Sequence, residues 1–288
     1  MPWGSNLISN LDNKPHVFRV HEPLDLQAWL GTIATEYVAL RSECVIPFTS
    51  SLNVAGLGLF DVASIQARIQ QACTPSPDLH RGNFSVTRSD LSEVAAYLAL
   101  EKGFNTQIGF KLTRDRELIT LPGRGIDAIG IENIDKQNGD KLVVVLTEVK
   151  FSNEKSGKKP PQVVDSKSKD DCMSKQHKEH IKNLKITANK LIECSRKTKD
   201  ENLRDQYLIA GICLGEDDWE QYIDLVSCCI LVRPKEHHTV VDFGSFYESP
   251  SDFAPANIRF IVISLPEKIE KIMNDWSAKI EEIRGPSL

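Results

Sequence analysis

Two runs of strand-forming residues, joined by a short polar segment, limit the folds open to this chain more than any other feature. The first run, 126–131, is apolar except for Asp127, and the second, 142–146, consists of leucine and valine. The segment between them contains Asn138-Gly139, which is a strong signal for a tight hairpin turn. The sequence therefore predicts two strands paired as a hairpin within a sheet.

Three charged side chains lie at one end of this predicted hairpin. Asp127 interrupts the first run, and Glu148 and Lys150 follow the second run in the sequence LTEVKF. Successive side chains of a strand point to opposite faces, so Glu148 and Lys150 share one face while Val149 points to the other. The hairpin can bring Asp127 beside this pair, and two carboxylates and an ammonium group would then converge.

This combination of groups suits a divalent metal ion. Two carboxylates and a backbone carbonyl supply the oxygen ligands that Mg²⁺ or Mn²⁺ prefers, and they leave positions for water and a phosphate. A nearby lysine can polarise the attacking water and offset negative charge on the phosphate. The alternative is a salt bridge between Lys150 and one acid at a strand end, which is common. The G-R-G turn before Asp127 and the apolar strand before Glu148 favour the metal site.

The arrangement of Asp127 and Glu148-Val149-Lys150 resembles that of the PD-(D/E)xK nuclease superfamily. The segment Arg124-Gly125-Ile126 stands before the acid, so the proline of the motif is not matched. The resemblance covers residues 88–151. It implies that Asp127, Glu148 and the carbonyl of Val149 hold Mg²⁺ or Mn²⁺, and that Lys150 positions the attacking water.

Over nearly the whole chain, the length and the order of parts resemble the nuclease subunits (HamA) of the Hachiman anti-phage defence systems. This resemblance implies a DNA nuclease, with a helicase-like ATPase (HamB-like) as the partner that keeps it inactive until DNA is disrupted or invaded. The chain has no GxxxxGK[ST] loop, so nucleotide hydrolysis is not expected of it. A stand-alone restriction or repair endonuclease, and a catalytically silent domain that binds DNA or a helicase, are the alternatives.

The superfamily usually carries a further acid on a helix before the sheet, and Glu93 is the candidate. Residues 89–102 have the apolar spacing of a helix, and Gly103 is a natural stop. Asp90-Leu91-Ser92-Glu93 is also a capping-box pattern, in which Glu93 folds back onto the helix N-terminus. Both roles stay open. Arg124 is a candidate phosphate contact, and the alternative is a solvated turn residue.

The distribution of charge favours a nucleic-acid partner, although the net charge of the chain is −5. Residues 150–199 contain 14 lysine and arginine residues against 6 acidic ones, so the rest of the chain is acidic. A basic segment that begins beside the candidate site can bind DNA phosphates. A solvated loop and helix face is the alternative.

Within this segment, residues 152–172 are rich in serine, lysine, glycine and proline and predict a mobile loop. A long helix is predicted to follow from about Ser174 to Cys194. Gln176, Lys178 and Lys182 on this helix are candidate nucleic-acid-binding residues, because they follow the site in sequence.

His177 and His180 could share a face of the same helix, with Cys172 nearby. A zinc site would need a fourth ligand and a CxxC-like anchor, and the sequence contains neither. The pattern therefore favours a polar helix face.

The predicted fold is α/β, with a restriction-endonuclease-like core, a mixed central sheet flanked by helices, and an N-terminal α/β extension. Residues 1–80 are expected to form an N-terminal region of mixed structure. Residues 81–288 are expected to form the nuclease-like domain, which ends in a helix. Further strands are predicted at 227–233 and 257–265, and the amphipathic C-terminal helix most often belongs to the core.

The chain is expected to be a cytoplasmic enzyme. No apolar stretch approaches the length of a membrane span, and the segment MPWGSNLISN lacks the pattern of a signal peptide. Seven cysteines without the spacing of a disulfide framework favour reduced thiols.

Overall fold

The most apolar stretches of the chain form the centre of a seven-stranded sheet, and helices cover both faces. The computed structural model describes residues 3–43, 52–54, 58–74, 84–115, 125–133, 141–155 and 157–284. The strands are β1 Ser5–Asn10, β2 Val17–Pro23, β3 Leu52–Val54, β4 Gly58–Phe60, β5 Gln107–Lys111, β6 Ala128–Glu132, β7 Leu142–Phe151, β8 Ile223–Pro234 and β9 Asn257–Leu265. The α-helices are α1 Leu26–Glu43, α2 Val62–Cys73, α3 Phe84–Gly103, α4 Leu112–Asp115, α5 Met173–Lys182, α6 Leu184–Lys197, α7 Glu201–Gly215, α8 Gly244–Glu248 and α9 Ile269–Arg284.

The large sheet is mixed, with the strand order β1-β2-β9-β8-β7-β6-β5, and β3 and β4 form a separate hairpin. Strands β2, β9, β8 and β7 run parallel, whereas β1, β6 and β5 pair antiparallel with their neighbours. The central strands are buried on both faces, so β8 and β9 consist largely of valine, isoleucine, leucine and cysteine. The predicted α/β class, with a mixed sheet flanked by helices, is confirmed.

Two layers of helices complete the core. Helices α1, α3 and α9 pack on one face around Trp29, Leu91 and Trp276, whereas α6 and α7 pack on the other face around Leu191 and Tyr207. Helix α9 buries its apolar stripe and contacts α1, so it belongs to the core as predicted. In the described part of the chain, no helix combines the length and the apolar character needed to cross a bilayer.

The N-terminal region shares the large sheet. Strand β2 pairs in parallel with β9 over residues 17–21. Helix α1 contacts both α3 and α9. The described part of residues 1–80 is therefore joined to the rest of the chain by backbone hydrogen bonds and by core packing.

Strands β6 and β7 form the antiparallel pair that their apolar runs predict, with Ala128 opposite Thr147 and Glu132 opposite Val143. The predicted turn at Asn138-Gly139 lies outside the described residues. The register of this pair decides which side chains of the two strands share a face.

The helix predicted from Ser174 to Cys194 is two helices, α5 and α6. Between them, Asn183 has φ −112° and ψ 44°, and its N–H group donates to the carbonyl oxygens of Glu179 and His180. The backbone therefore leaves the helical path after Lys182. Since α5 packs against β7 and α6 packs against α7, the prediction of one continuous helix is wrong.

The segment 157–172 has the irregular backbone predicted for it, but it is anchored at its middle. The carboxylate of Asp165 accepts hydrogen bonds from the N–H and hydroxyl groups of Ser245, at 2.6 and 2.8 Å. Val164 is buried, and its carbonyl oxygen accepts from the N–H of Ser174 at 3.0 Å. These contacts tie the segment to α8 and α5, unlike the mobile loop that was predicted.

Strand β5 lies at the edge of the sheet, and side chains bond two of its carbonyl groups. The carbonyl oxygen of Gln107 accepts from the hydroxyl of Tyr207 at 3.1 Å, and that of Gly109 accepts from the guanidinium of Arg114 at 2.6 Å. Edge strands expose unpaired backbone groups that can join other chains. These contacts occupy two such groups and tie α7 and α4 to the strand.

Gly211 on α7 tests how closely this helix packs against α6, and Gly31 on α1 is the control. A Cβ atom at Gly211 would lie 2.7 Å from a side-chain atom of Ile192 and 2.8 Å from the carbonyl oxygen of Ala188, whereas one at Gly31 would meet no atom within 4 Å. We expect Gly211→Ala to lower the free energy of unfolding by about 1–3 kcal/mol, because neither neighbour can move freely. Gly31→Ala should raise it by about 0.5–1 kcal/mol, because alanine favours the helix. Urea unfolding measures both, and equal effects would argue against the close contact.

Candidate functional site

The pairing of β6 with β7 places Asp127 beside Glu148. The pairing ends with Ala128 opposite Thr147, and Asp127 and Glu148 are the next residues of the two segments beyond this pair. The N–H of Asp127 donates to the carbonyl oxygen of Thr147 at 3.1 Å, and its Oδ2 accepts from the N–H of Val149 at 2.6 Å. The structure therefore brings the two acids together at the end of adjacent strands.

Glu148 is fully buried, and its two carboxylate oxygens have different surroundings. Oε1 lies 2.7 Å from Nε2 of His180, which reaches it from α5. Oε2 lies 3.7 Å from Nζ of Lys150 and has no hydrogen-bond donor among the described residues. One oxygen is therefore oriented by a histidine, and the other is a buried acceptor that a ligand can use.

Lys150 lies on the same face of β7 as Glu148, whereas Val149 packs into the core on the other face. The separation of 3.7 Å between Lys150 Nζ and Glu148 Oε2 is that of an ion pair without a hydrogen bond. The side chain of Lys150 is 22% exposed, so it connects the buried carboxylates with solvent. The geometry fits both roles considered for Lys150, an ion-pair partner of Glu148 and a residue of the candidate site.

Glu93 approaches the strand end from α3. The helix begins at Phe84, so Glu93 lies in its interior and the capping role, one of the two roles that the sequence left open, is excluded. Glu93 Oε1 accepts from the hydroxyl of Ser89 at 2.9 Å, and Oε2 accepts from the hydroxyl of Thr113. The hydroxyl of Tyr97 lies 3.3 Å from Glu93 Oε2 and 3.2 Å from the carbonyl oxygen of Asp127. The tyrosine thus links the acid on α3 to the start of β6.

The electrostatics of the cluster are dominated by burial. Burial raises the pKa of Asp127 well above its ordinary value, and the negative charges of Glu148 and Glu93 raise it further. The ammonium of Lys150 and the hydrogen bond from Val149 act in the opposite direction on the same pKa. Because the net shift is upward, the lysine does not offset the effects of burial and of the neighbouring charges on Asp127, and a proton or a bound cation would stabilise this carboxylate.

The ligands that the site offers a metal ion are carboxylate and backbone oxygens. The described residues contain no group of three or more His, Cys, Asp or Glu side chains placed to hold a metal ion. In a strand, the N–H and C=O groups of one residue point to the same neighbour. The carbonyl of Val149 therefore lies on the β6 side of β7, beyond the last paired residue, Ala128. Asp127, Glu148 and this carbonyl form a hard oxygen set that fits Mg²⁺ or Mn²⁺ better than zinc.

His177 and His180 do not form the polar helix face that the sequence predicted. His177 is fully buried, its Nδ1 lies 2.8 Å from the hydroxyl of Ser227, and burial lowers its pKa well below the ordinary value. His180 contacts Glu148. Because α5 ends at Lys182 and packs on β7, its histidines meet the sheet. The three-residue spacing of the histidines was the only signal of this arrangement in the sequence.

The predicted nucleic-acid-binding residues have different environments. Nζ of Lys178 lies 3.0 Å from a carboxylate oxygen of Asp252, so this lysine is engaged in an ion pair. Lys182 is exposed at the end of α5. Gln176 has a buried Oε1 atom without a hydrogen-bond partner among the described residues. Arg124 lies outside the described residues.

No protein-family model, curated protein or solved structure matches this chain. The described residues define an α/β protein with a buried cluster of carboxylates, a lysine and a histidine at one end of a mixed sheet. The chemistry of that cluster is therefore the basis for any conclusion about function.

Asp127→Asn tests the buried charge cluster in the metal-free protein. The unfolded chain releases the Asp127 proton at about pH 4, whereas the folded chain holds it until the pH passes the raised pKa. The free energy of unfolding therefore falls as pH rises between these values. Asparagine removes that fall and can still accept the hydrogen bond from Val149. We expect Asp127→Asn to be more stable than the unchanged protein at pH 8 in EDTA. Urea unfolding measures the difference in free energy of unfolding between Asp127→Asn and the unchanged protein. The same difference at pH 4 and at pH 8 would contradict this expectation.

His180→Ala tests the contact that orients Glu148. The substitution leaves a buried carboxylate oxygen without its partner, so we expect the free energy of unfolding to fall by about 1–3 kcal/mol. Lys182→Ala, at the exposed end of the same helix, is the matched control and should change it by less than about 0.5 kcal/mol. Urea unfolding at pH 7 compares the two. Similar values for both variants would mean that the contact contributes nothing measurable.

Proposed function

We propose that this protein is a Mg²⁺- or Mn²⁺-dependent deoxyribonuclease with the site arrangement of the PD-(D/E)xK nucleases. In the reaction, water attacks the phosphorus atom of a DNA phosphodiester, one P–O ester bond breaks, and a phosphate monoester and a hydroxyl group are formed. The observation that carries the proposal is the meeting of the buried carboxylates of Asp127 and Glu148 with the half-buried Lys150, where β6 begins beside β7.

Asp127 and Glu148 are the proposed metal ligands, and the carbonyl of Val149 is the proposed third ligand. The buried Oε2 of Glu148, which has no hydrogen-bond donor in the described part of the chain, supports this assignment. The raised pKa of Asp127 also supports it, because burial and neighbouring carboxylates favour a bound positive charge there. When bound, Mg²⁺ would activate water and offset negative charge on the reacting phosphate.

Lys150 is the proposed group that orients the attacking water. Its side chain reaches from the buried carboxylates to solvent, so it can meet a phosphate that arrives from outside. Its ammonium opposes the negative charge that develops on the phosphate during the attack. Glu93 is a proposed further site residue, which acts on Asp127 by its own charge and through the hydroxyl of Tyr97.

DNA is the proposed substrate because the basic segment borders the site. Helices α5 and α6 belong to residues 150–199, and α5 packs against the strand that carries Glu148. Gln176 and Lys182 remain proposed contacts to the DNA backbone, together with Arg124. Lys178 would join them only by exchanging its ion pair for a phosphate.

A helicase-like ATPase (HamB-like) is the proposed partner in a two-component anti-phage defence complex of the cytoplasm. The chain has no GxxxxGK[ST] sequence, so ATP hydrolysis would come from a second protein. Helix α7 offers a surface for a partner, since Leu208, Ile209 and Ile212 are 39–51% exposed.

Cleavage of plasmid and linear DNA by the purified chain tests the nuclease proposal. We expect degradation in Mg²⁺ or Mn²⁺ and none in EDTA. Lys150→Ala and Glu148→Gln should each lower the rate by about 100-fold or more, because the first removes a positive charge that stabilises the reacting phosphate and the second removes the charge of a metal ligand. Lys271→Ala is the control, since this exposed lysine of α9 pairs with Glu267, just before the helix, and should not affect cleavage.

Thermal unfolding with Mn²⁺ gives a second readout that does not depend on activity. Mn²⁺ should raise the Tm of the unchanged protein and have little effect on Glu148→Gln, because only a bound ion stabilises the folded chain. Cleavage without an ATPase would favour a stand-alone endonuclease over the two-component complex. If neither cleavage nor a Mn²⁺ effect is observed, the catalytically silent domain is the better description.

A further inference from the structure

A cavity of about 540 Å³ lies between β5 and the turn that joins α6 to α7. Its charged and ionisable lining residues are Arg114, Asp115, Cys194, Lys197, Lys199 and Tyr207. Cavities of about 300–1,000 Å³ are of the size that binds small molecules. None of the residues assigned to the carboxylate site lines this cavity, so it is a separate feature of the described chain.

The wall of the cavity carries an excess of positive charge. Asp115 is the acidic residue of the described lining, and the guanidinium of Arg114 pairs with it through hydrogen bonds of 3.1 and 2.9 Å. Cys194 is neutral at physiological pH, because burial raises the pKa of its thiol to about 11. The ammonium groups of Lys197 and Lys199 are therefore not balanced within the wall.

Lys197 has an acidic neighbour outside the wall, but that pair is weak. Its Nζ lies 3.7 Å from Oε1 of Glu193, and the two side chains are 63% and 62% exposed. Exposed ion pairs of this kind contribute about 0–1 kcal/mol. An anion in the cavity can therefore compete for the ammonium group.

The cavity is close to the carboxylate site. Lys190 on α6 is near both of them, because the carboxylates of Asp115 in the wall and Asp127 in the site both act on the pKa of its ammonium group. Arg114 of the wall directly follows Thr113, whose hydroxyl donates to the acid on α3. An extended phosphate chain could therefore occupy both places at once.

We propose that this cavity binds a phosphate group of the nucleic-acid strand that is cleaved at Asp127, Glu148 and Lys150. The inference rests on the nuclease function proposed above. Lys197 and Lys199 bind the phosphate oxygens, and the cavity sets the position of the strand rather than its sequence, because backbone phosphates carry no base information. Free phosphate or a nucleoside monophosphate presents the same chemistry, and the experiment separates these sources.

Binding of a fluorescein-labelled single-stranded DNA in EDTA, where no cleavage occurs, tests this inference. Fluorescence anisotropy compares Lys197→Ala/Lys199→Ala with a matched control, Lys268→Ala/Lys271→Ala, which removes two exposed lysines at the start of α9, outside the basic segment. We expect the cavity variant to bind about three- to tenfold more weakly than the control. In the cavity variant, the plot of log affinity against log salt concentration should become less steep by about 0.7, the value for one lost phosphate contact in a single strand.

Equal affinity and equal salt slope in the two double variants would overturn the proposal. Inorganic phosphate and thymidine monophosphate are tested in parallel by thermal unfolding. If either stabilises the unchanged protein but not the cavity variant, while both variants bind DNA equally, the cavity is a site for free phosphate and the strand assignment fails. Thermal unfolding without additives verifies that every variant is folded.

Failure of the cavity assignment is distinguishable from failure of the nuclease proposal. Metal-dependent cleavage by the unchanged protein, together with equal DNA binding by the two double variants, rejects the cavity assignment alone. If the unchanged protein neither binds nor cleaves DNA, the nuclease proposal is rejected and the cavity assignment with it.

Discussion

The candidate site exists because β6 and β7 pair in one antiparallel register. A slip of one residue would turn Asp127 to the opposite face from Glu148, because side chains alternate along a strand. Apolar packing holds the register: Ile129 and Leu146 belong to the core under α6 and α7, whereas Val145 belongs to the core on the other face. Apolar packing on both faces therefore fixes the positions of Asp127 and Glu148, although burial disfavours their charged forms.

The burial of several carboxylates in one cluster lowers the stability of the folded chain. Glu148 and Glu93 are buried, and burial raises the pKa of Asp127. Lys150 and His180 offset part of this cost, by an ion pair and by a hydrogen bond to separate oxygens of one carboxylate. Groups with strongly shifted pKa values occur more often at functional sites than elsewhere. This electrostatic argument supports the proposal that the cluster binds a cation.

The change of direction between α5 and α6 lets the basic segment of the chain contact both the carboxylate site and the cavity. Helix α5 packs on β7 and presents His180 to Glu148, whereas α6 packs on α7 and β5 and ends at the cavity. A straight helix could not follow both paths. The break also separates the lysines of the segment, because Lys178 pairs with Asp252 whereas Lys197 reaches the cavity wall. The charge of a segment therefore does not reveal which of its cations meet a ligand.

Local patterns in the chain were sufficient to predict the α/β class, the paired strands β6 and β7, and the strands β8 and β9. Hydrophobic periodicity and turn signals are properties of neighbouring residues, so a sequence displays them directly. Contacts between distant segments settled the rest: Glu93 bonds to Thr113 instead of capping its helix, and His180 bonds to Glu148, 32 residues away in the chain. Periodicity shows which face of an element is buried, but not which other element covers it. For that reason the two acids on adjacent strands could be predicted, whereas the surroundings of their charges could not.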